Sequence, residues 1–303
     1  MTKATATATV PIPSATAAFF KNILVATDFS AASDHAVGYA ASLARRYGSA
    51  IYLTHVVTLD GYPLISPEYA AMSLEKRHAA VQTQFRRVLK SGELTGIPFK
   101  TVVKEGNLWP TIEESINVFD IDLVIVGTHG AGTVEKLLIG SGAEEIFRKA
   151  NVPVLTIGPV TPKEPWYEME FKNILFATDF GKSAEREAAY AFSLAQEHCS
   201  RLTLLHVFPH REDFGKEIAI EMEHNFYAQL RELVPANKGR CKVEVRVVFG
   251  EPVEQILRIA NESNAELIVM GAKARKSLAG NVPHTNAYRV VCEAHCPVLT
   301  VRS

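Results

Sequence analysis

The chain has 303 residues, of which 47% are hydrophobic, and this length is enough for two domains that each bury a core. Its 32 Lys and Arg and 33 Asp and Glu leave a formal net charge of -1, which gives no electrostatic reason to expect nucleic acid or an anionic membrane as a partner. No apolar run approaches the roughly 18 residues that a membrane-spanning helix needs. The four cysteines show neither a CxxC pair nor zinc-ligand spacing, so we expect a reduced, cytoplasmic protein.

The first half of the chain alternates strand and helix patterns. Residues 1–18 have the Ala/Thr/Pro composition of a mobile tail and lack the apolar centre of a signal peptide. Residues 22–27 form a short apolar run, and apolar residues then recur at helical spacing until Gly48. Further strands are predicted at 51–57, 99–103, 123–126 and 152–157, and further helices at 69–89, 110–118 and 142–149. This alternation predicts a parallel, doubly wound sheet with helices on both faces.

The pattern then repeats. FKNILVATDF at residues 20–29 recurs as FKNILFATDF at 171–180, an offset of 151, and the Pro-Val-Leu-Thr of 153–156 recurs at 297–300, an offset of 144. We therefore predict two domains, at residues 19–158 and 171–303, which are called copy one and copy two. A linker with three prolines joins them at 159–170. In copy two we predict strands at 173–178, 202–207, 243–248, 266–270 and 298–301, and a long helix at 216–233.

Two loops of copy one are candidates for ligand binding. In a doubly wound sheet, ligands bind beyond the carboxyl ends of the strands, where the strand order reverses. The loop after the first strand carries Thr27 and Asp28, and the glycine-rich loop after the fourth strand spans residues 127–142. Glycines let backbone approach a ligand closely, and free N–H groups at a helix start bind anions, so this loop is predicted to hold phosphates. Asp28 has two interpretations, a hydrogen-bond acceptor for ribose or adenine and a turn or capping residue, and the neighbouring glycine loop favours the first. His129 is interpreted as a solvent-facing loop residue rather than a catalytic base.

The spacing Gly127-x2-Gly130-x9-Gly140-Ser141, together with Ala26-Thr27-Asp28 at the end of the first strand, resembles the ATP-binding signature of the universal stress protein family. The resemblance covers both copies and implies, for each, a five-stranded parallel sheet in the order 3-2-1-4-5. It also implies ATP as ligand, with any Mg²⁺ held mainly through the phosphates. Family members commonly pair through their fifth strands, so the two copies are expected to pair within one chain, and the resemblance extends to a homodimer of tandems.

The resemblance assigns roles to individual residues of copy one. It places Ala26, Thr27 and Asp28 against adenine and ribose, and the backbone around His55 and Val56 against adenine. The residues that it places at the ribose and phosphates are Gly127, Gly130, Gly140, Ser141 and Gly142. No Lys-Ser/Thr pair follows the glycines, so this is not a P-loop.

Copy two departs from this signature at the glycines. A second candidate site keeps Ala177, Thr178, Asp179 and Gly271, but the later glycines are replaced by Ala274 and His284, followed by Thr285. A side chain at position 284 fills space that a glycine leaves open and disfavours a backbone with φ > 0. We expect copy two to bind ATP weakly, to bind a smaller adenine nucleotide, or to bind nothing. Alternatively, the basic side chains at 273, 275 and 276 replace the lost backbone N–H groups.

Three functions are compatible with these patterns. The first is an ATP-binding regulatory protein of the stress response, with hydrolysis slow at most because no base, arginine finger or Walker lysine is evident. The second is an enzyme of a related fold that cleaves ATP between its α and β phosphates, although the Asp28-Phe29-Ser30 loop differs from the serine- and glycine-rich loop of such enzymes. The third is a scaffold without a ligand. His206, His210 and His224 are interpreted as surface and core residues, not metal ligands, and Cys292 and Cys296 as core-facing thiols.

Overall fold

The computed structural model describes residues 20–58, 67–128, 139–158, 161, 170–208, 215–237, 239–272 and 285–302. Within these ranges copy one comprises β1 (Asn22–Ala26), α1 (Ala31–Tyr47), β2 (Ala50–Val57), α2 (Pro67–Lys90), β3 (Phe99–Glu105), α3 (Leu108–Val118), β4 (Leu123–Gly127), α4 (Ser141–Lys149) and β5 (Val154–Ile157). Copy two comprises β6 (Asn173–Ala177), α5 (Ala184–Glu197), β7 (Arg201–Phe208), α6 (Lys216–Glu232), β8 (Lys242–Phe249), α7 (Pro252–Glu262), β9 (Leu267–Gly271), α8 (Asn286–Glu293) and β10 (Val298–Val301). None of the helices in the described part of the chain is long and apolar enough to cross a bilayer.

The strands form one sheet in the order β3-β2-β1-β4-β5-β10-β9-β6-β7-β8. Pairing is parallel within each copy, and each half has the predicted order 3-2-1-4-5. The fold class and the strand order are therefore confirmed. The two halves meet where β5 and β10 run antiparallel, with Leu155 opposite Leu299. In each copy the strand order reverses between the first and fourth strands, which is where a doubly wound sheet opens a crevice.

The sequence signals fix most element boundaries to within two residues. Ser30 caps α1 by accepting the Ser33 N–H, and Gly48 ends the helix at φ 68°, in the left-handed region that glycine adopts without strain. The remaining differences are of one or two residues at element ends. For example, β1 ends at Ala26 rather than 27, and β5 begins at Val154 rather than 152 because Pro153 has no N–H for the ladder.

Side chains from the two copies share a core. One buried cluster runs across a face of the sheet from β1 through Leu155 and Leu299 to β6. A second cluster places Ile139 and Phe147 of copy one among residues of α7, α8 and β9. Helix α4 and the residue before its cap therefore pack directly on copy two.

A polar contact crosses the same boundary. The hydroxyl of Tyr47, at the end of α1, lies 2.7 Å from Nε2 of His198, at the end of α5, and these two residues stand at equivalent positions of the repeat. The Phe171 N–H donates to His198 Nδ1, so Nε2 carries the ring hydrogen and donates to Tyr47. Burial, with a smaller contribution from Arg46, lowers the pKa of His198 to about 3, which keeps the ring neutral in the native protein.

Candidate functional site

The parallel register brings three predicted site residues of copy one to one edge of the sheet. Ala26 is paired with Val126 on β4 and with Thr54 on β2. Each of these three paired residues is followed by a predicted site residue. Thr27, Gly127 and His55 therefore lie side by side where the strands end. Val56 is buried with its side chain in the core, so only its backbone is available to a ligand.

The loop after β1 is held by hydrogen bonds from its own residues. The Thr27 hydroxyl accepts the Phe29 N–H at 3.0 Å and donates to the Ser33 hydroxyl at 3.1 Å. The Asp28 carboxylate accepts the Ser30 N–H at 3.0 Å, which is the turn geometry expected of an Asx residue. The turn interpretation of Asp28 is therefore correct, and it does not exclude the other, because the side chain is exposed at the edge of the crevice.

Asp28 remains a carboxylate in this loop. Partial burial alone raises the pKa of its carboxyl, but hydrogen bonds from the side chain and backbone of Ser30 and from Ser33 outweigh that effect and lower the pKa below its ordinary value. A group of this kind accepts hydrogen bonds from hydroxyl or amino groups at neutral pH.

Phe29 lies next to the predicted site residues Thr27 and Asp28 and was not singled out by the sequence reasoning. Its φ of 63° is in the left-handed region, which costs a bulky residue of order 1–3 kcal/mol. The ring lies 4.7 Å from that of His55 and 5.0 Å from that of Phe85. His55 Nδ1–H in turn donates to the Thr27 carbonyl at 2.7 Å. The only sequence signal for this arrangement was the recurrence of the phenylalanine in both copies.

The structure gives a packing reason for glycine at position 127, whereas the sequence prediction concerned contact with a ligand. A Cβ added there would lie 2.9 Å from the Ser33 N and closer still to the Ala32 carbonyl. The first turn of α1 thus rests on the end of β4, and only glycine leaves room for it. The neighbour seen in the structure is backbone of α1, and the predicted approach to a ligand stays a prediction.

The glycine motif continues into the start of α4. Gly140 is the N-cap, with φ −56° and ψ 143° and no side-chain hydrogen bond, and Ser141 and Gly142 open the helix. The first helical bond recorded at this end runs from the Glu144 N–H to the Gly140 carbonyl, so the preceding N–H groups point out of the helix end. A Cβ on Gly142 would lie 3.0 Å from the Leu108 side chain. Gly130 and His129 lie outside the described residues.

The φ of Gly140 corrects one sequence argument. A value of −56° is open to any residue, so the backbone does not forbid a side chain at the equivalent position, 284. The argument from space at position 284 stays a prediction, since that residue and the three basic residues before it lie outside the described ranges.

Copy two reproduces the strand-one loop closely. Thr178 accepts the Phe180 N–H at 3.1 Å, Asp179 accepts the Gly181 N–H at 2.9 Å, and His206 Nδ1–H donates to the Thr178 carbonyl at 2.9 Å. Phe180 repeats the left-handed backbone, with φ 56°. Burial lowers the pKa of His206 more than the Thr178 carbonyl and the Asp179 charge raise it. Ala177 pairs with Met270, which places Thr178 beside Gly271, as in copy one.

The fourth strand of copy two ends differently. A Cβ on Gly271 would lie 2.6 Å from Cδ and 2.9 Å from Oε2 of Glu187, so this carboxylate occupies the place that α1 backbone takes over Gly127. Glu187 is only 3% exposed and accepts a 2.6 Å hydrogen bond from Ser183. Its equivalent in copy one is Ala36, at the offset of 151. Copy two therefore carries a buried acidic group beside its switch point, and the Ala-to-Glu difference was the signal that sequence reasoning passed over.

The start of helix α8, in copy two, is capped by a side chain. Thr285 is the N-cap of α8, and its hydroxyl accepts the Tyr288 N–H at 3.2 Å. The equivalent residue in copy one, Ser141, is already the first residue of α4, whose end has no side-chain cap. In the described part of the chain no group of three or more His, Cys, Asp and Glu residues is arranged to hold a metal ion.

The fold and these loops define a tandem of doubly wound α/β domains, each with a crevice between its first and fourth strands. Comparison with known proteins then gives the family. The sequence model of the universal stress protein family matches residues 19–158 and again 170–302. The chain belongs to the universal stress protein family, a family of stress-response proteins, and is a tandem member of it.

One curated relative and two solved structures are similar to this chain. A universal stress protein of Mycolicibacterium smegmatis is 28% identical over 293 residues, covering 92% of this chain and 96% of its own length. The crystal structure of a universal stress protein from Archaeoglobus fulgidus superposes with a TM-score of 0.65 at 20% identity, covering 93% of this chain and 98% of the other. A universal stress protein solved in complex with cAMP covers 44% of this chain and 98% of its own, with 20% identity and a TM-score of 0.39.

Proposed function

We propose that the protein is an ATP-binding regulator of the stress response, with ATP held by copy one. Ala26, Thr27 and Asp28, with the backbone of His55 and Val56, take the adenosine part. The glycine loop and the start of α4 take the phosphates through Gly127, Gly130, Gly140, Ser141 and Gly142. Mg²⁺ binds through phosphate oxygens rather than a protein cage.

One observation carries the proposal. The N-terminus of α4, which has no side-chain cap, belongs to the same glycine motif that begins at the edge where β1, β2 and β4 end. The N–H groups of such a helix end and its partial positive charge favour a bound anion. The exposed Asp28 carboxylate at the neighbouring strand end is suited to hydroxyl or amino groups. A ligand with a polar nucleoside at one end and phosphates at the other matches both halves.

The two copies have different roles in this proposal. At the second candidate site, Thr285 already satisfies one N–H at the start of α8, and the Glu187 carboxylate lies against Gly271. In its ionised form this carboxyl repels phosphate, because the interior screens charge poorly. Copy two, with Ala177, Thr178 and Asp179 retained, therefore binds ATP weakly or not at all, and it is the part of the chain for which a ligand-free scaffold role has support.

The proposal includes the organisation of the chain. Residues 19–158 and 171–303 are taken as the two domains, paired through β5 and β10, with 159–170 as linker. A homodimer of tandems and a cytoplasmic location complete it, the latter because none of the four cysteines forms a disulfide.

Mass spectrometry of the small molecules released from denatured, freshly purified protein tests the ligand. ATP at about one equivalent per chain is expected, and titration of the stripped protein by calorimetry should give one strong site. Two equal sites would refute the asymmetry, and no adenine nucleotide in either experiment would leave only the scaffold. Release of AMP and pyrophosphate on screening carboxylates or thiols would favour the α/β-cleaving enzyme instead.

The substitution Gly140→Leu tests the site. Its φ is open to leucine, so the fold should persist while the added side chain blocks the helix end and ATP retention is lost. Gly215→Leu is a matched control, because Gly215 is also an N-cap without a side-chain hydrogen bond, has φ −60° and ψ 149°, and has open space around an added Cβ. Equal ATP binding by both variants would contradict the assignment.

A further inference from the structure

Helix α4 is held at both ends by side chains of copy two. At its start, the N–H of Ile139, the residue before the Gly140 cap, donates to the Tyr288 hydroxyl at 3.3 Å. At its end, the Arg302 guanidinium donates to the Phe147 carbonyl at 2.7 Å. The rings of Phe147 and Tyr288 also meet edge to face, with centroids 6.4 Å apart.

These contacts are shielded from water. Ile139, Phe147 and Tyr288 are each at most 5% exposed, and Arg302 is 8% exposed. Burial, with a smaller contribution from Arg148, lowers the pKa of Arg302 to about 10, which leaves the guanidinium charged at neutral pH. A buried cation directed at the last carbonyls of a helix interacts favourably with the negative end of its dipole.

The Arg302 contact is one-sided within the described residues, although the repeat is nearly symmetric. At the offset of 144, Tyr288 corresponds to Glu144 and Arg302 to Gly158. A Cβ on Gly158 would lie 3.4 Å from the Ala294 carbonyl at the end of α8, so Gly158 occupies the equivalent place but has no side chain to donate a hydrogen bond. The altered copy thus reaches into the copy with the intact motif, and Gly158 makes no corresponding bond in return.

We propose that Tyr288 and Arg302 are positioning residues for the phosphate-binding end of α4, so that the nucleotide site of copy one is complete only with copy two docked on it. This inference rests on the proposed function. Tyr288 fixes the backbone immediately before the Gly140 cap, and Arg302 anchors the far end of the same helix. Because binding free energies are reciprocal, ATP bound to copy one also tightens the contact with copy two. Copy two then acts as the part of the chain that responds to occupancy.

The test compares ATP with adenosine, because only the phosphates depend on α4. In the full-length chain, Tyr288→Phe removes the hydroxyl and keeps the ring, and Arg302→Met removes the donors. Loss of a buried hydrogen bond of ordinary strength predicts ATP affinity lower by roughly 3- to 10-fold in each variant, with adenosine affinity unchanged. Arg302→Lys should recover part of the loss. Tyr190→Phe is the control, since it removes a buried hydroxyl near Arg186 on α5.

The outcomes separate the two proposals. No ATP binding by the unaltered chain overturns the proposed function. If ATP binds, and if the ratio of ATP affinity to adenosine affinity is the same in Tyr288→Phe, Arg302→Met and the control, only the positioning role is overturned. Hydrogen exchange of the peptide that spans residues 139–149 gives a second readout: faster exchange in Tyr288→Phe supports the anchoring of α4, and unchanged exchange contradicts it.

Discussion

The neutral His198 between the two copies predicts a specific loss of stability in acid. Its pKa is about 3 in the native protein and about 6.5 in an unfolded chain. Between these values the unfolded state binds the proton and the native state does not, so stability is complete above pH 6.5 and falls as the pH is lowered toward 3. From pH 8 to pH 5 this single group should cost about 2 kcal/mol.

Urea unfolding at pH 8, 6.5 and 5 measures this loss, with His198→Asn as the comparison. Asparagine retains an acceptor for the Phe171 N–H and has no group that titrates in this range. The variant should be less stable at pH 8, yet its stability should fall by about 2 kcal/mol less than that of the unaltered chain on going to pH 5. The difference between the two proteins removes the contribution of other groups, including His206. Parallel pH profiles would refute the reasoning, because they would mean that His198 is solvated and that its contact with Tyr47 does not form in solution.

Three further predictions concern the switch points and the thiols. Gly127→Ala should lower the free energy of unfolding by about 3 kcal/mol or more, and by clearly more than Gly271→Ala. The reason is that the first alanine meets backbone of α1, whereas the second meets a side chain. Thermal unfolding of both variants measures the two losses, and equal losses would contradict the packing argument. Glu187→Gln, made with Gly140→Leu so that only copy two reports, should raise ATP affinity roughly tenfold by calorimetry, and unchanged affinity would mean that its charge does not exclude phosphate. In the native protein at pH 8 only Cys199 should react quickly with a thiol reagent. Burial is the main reason that the pKa of Cys292 is raised to about 11 and that of Cys296 to about 12. Fast reaction of all four thiols before unfolding would contradict this.

Sequence reasoning predicted the fold well where the signals are local or repeated. The apolar runs located every strand, the Gly48 stop ended α1 where expected, and the two recurring segments identified the tandem. Burial of Cys292 and Cys296 followed from the same periodicity and is confirmed. The strand order came from the resemblance rather than from pattern, because pairing between distant strands leaves no mark in a single sequence.

The site was less accessible to sequence because its features depend on contacts between distant residues. Gly127 was expected to face a ligand, but the need for glycine arises from Ala32, which lies 95 positions earlier and packs against it only after the sheet forms. The left-handed backbone of Phe29 has no compositional signal, since glycine or asparagine is the usual choice there. Ser141 and Thr285 stand at equivalent positions of the repeat, yet one lies inside its helix and the other caps it, which the sequence alone did not indicate.

Two equivalent positions of the copies differ in the size and charge of their side chains. Copy two has larger side chains than copy one at both, with Glu187 at the position of Ala36 and Arg302 at the position of Gly158. Glu187 packs against Gly271 at the end of β9 in copy two, whereas Arg302 donates a hydrogen bond to the last turn of α4 in copy one. In the proposed function, the Arg302 contact supplies the coupling between the copies, because coupling needs differential contacts between the sites as well as a difference in affinity.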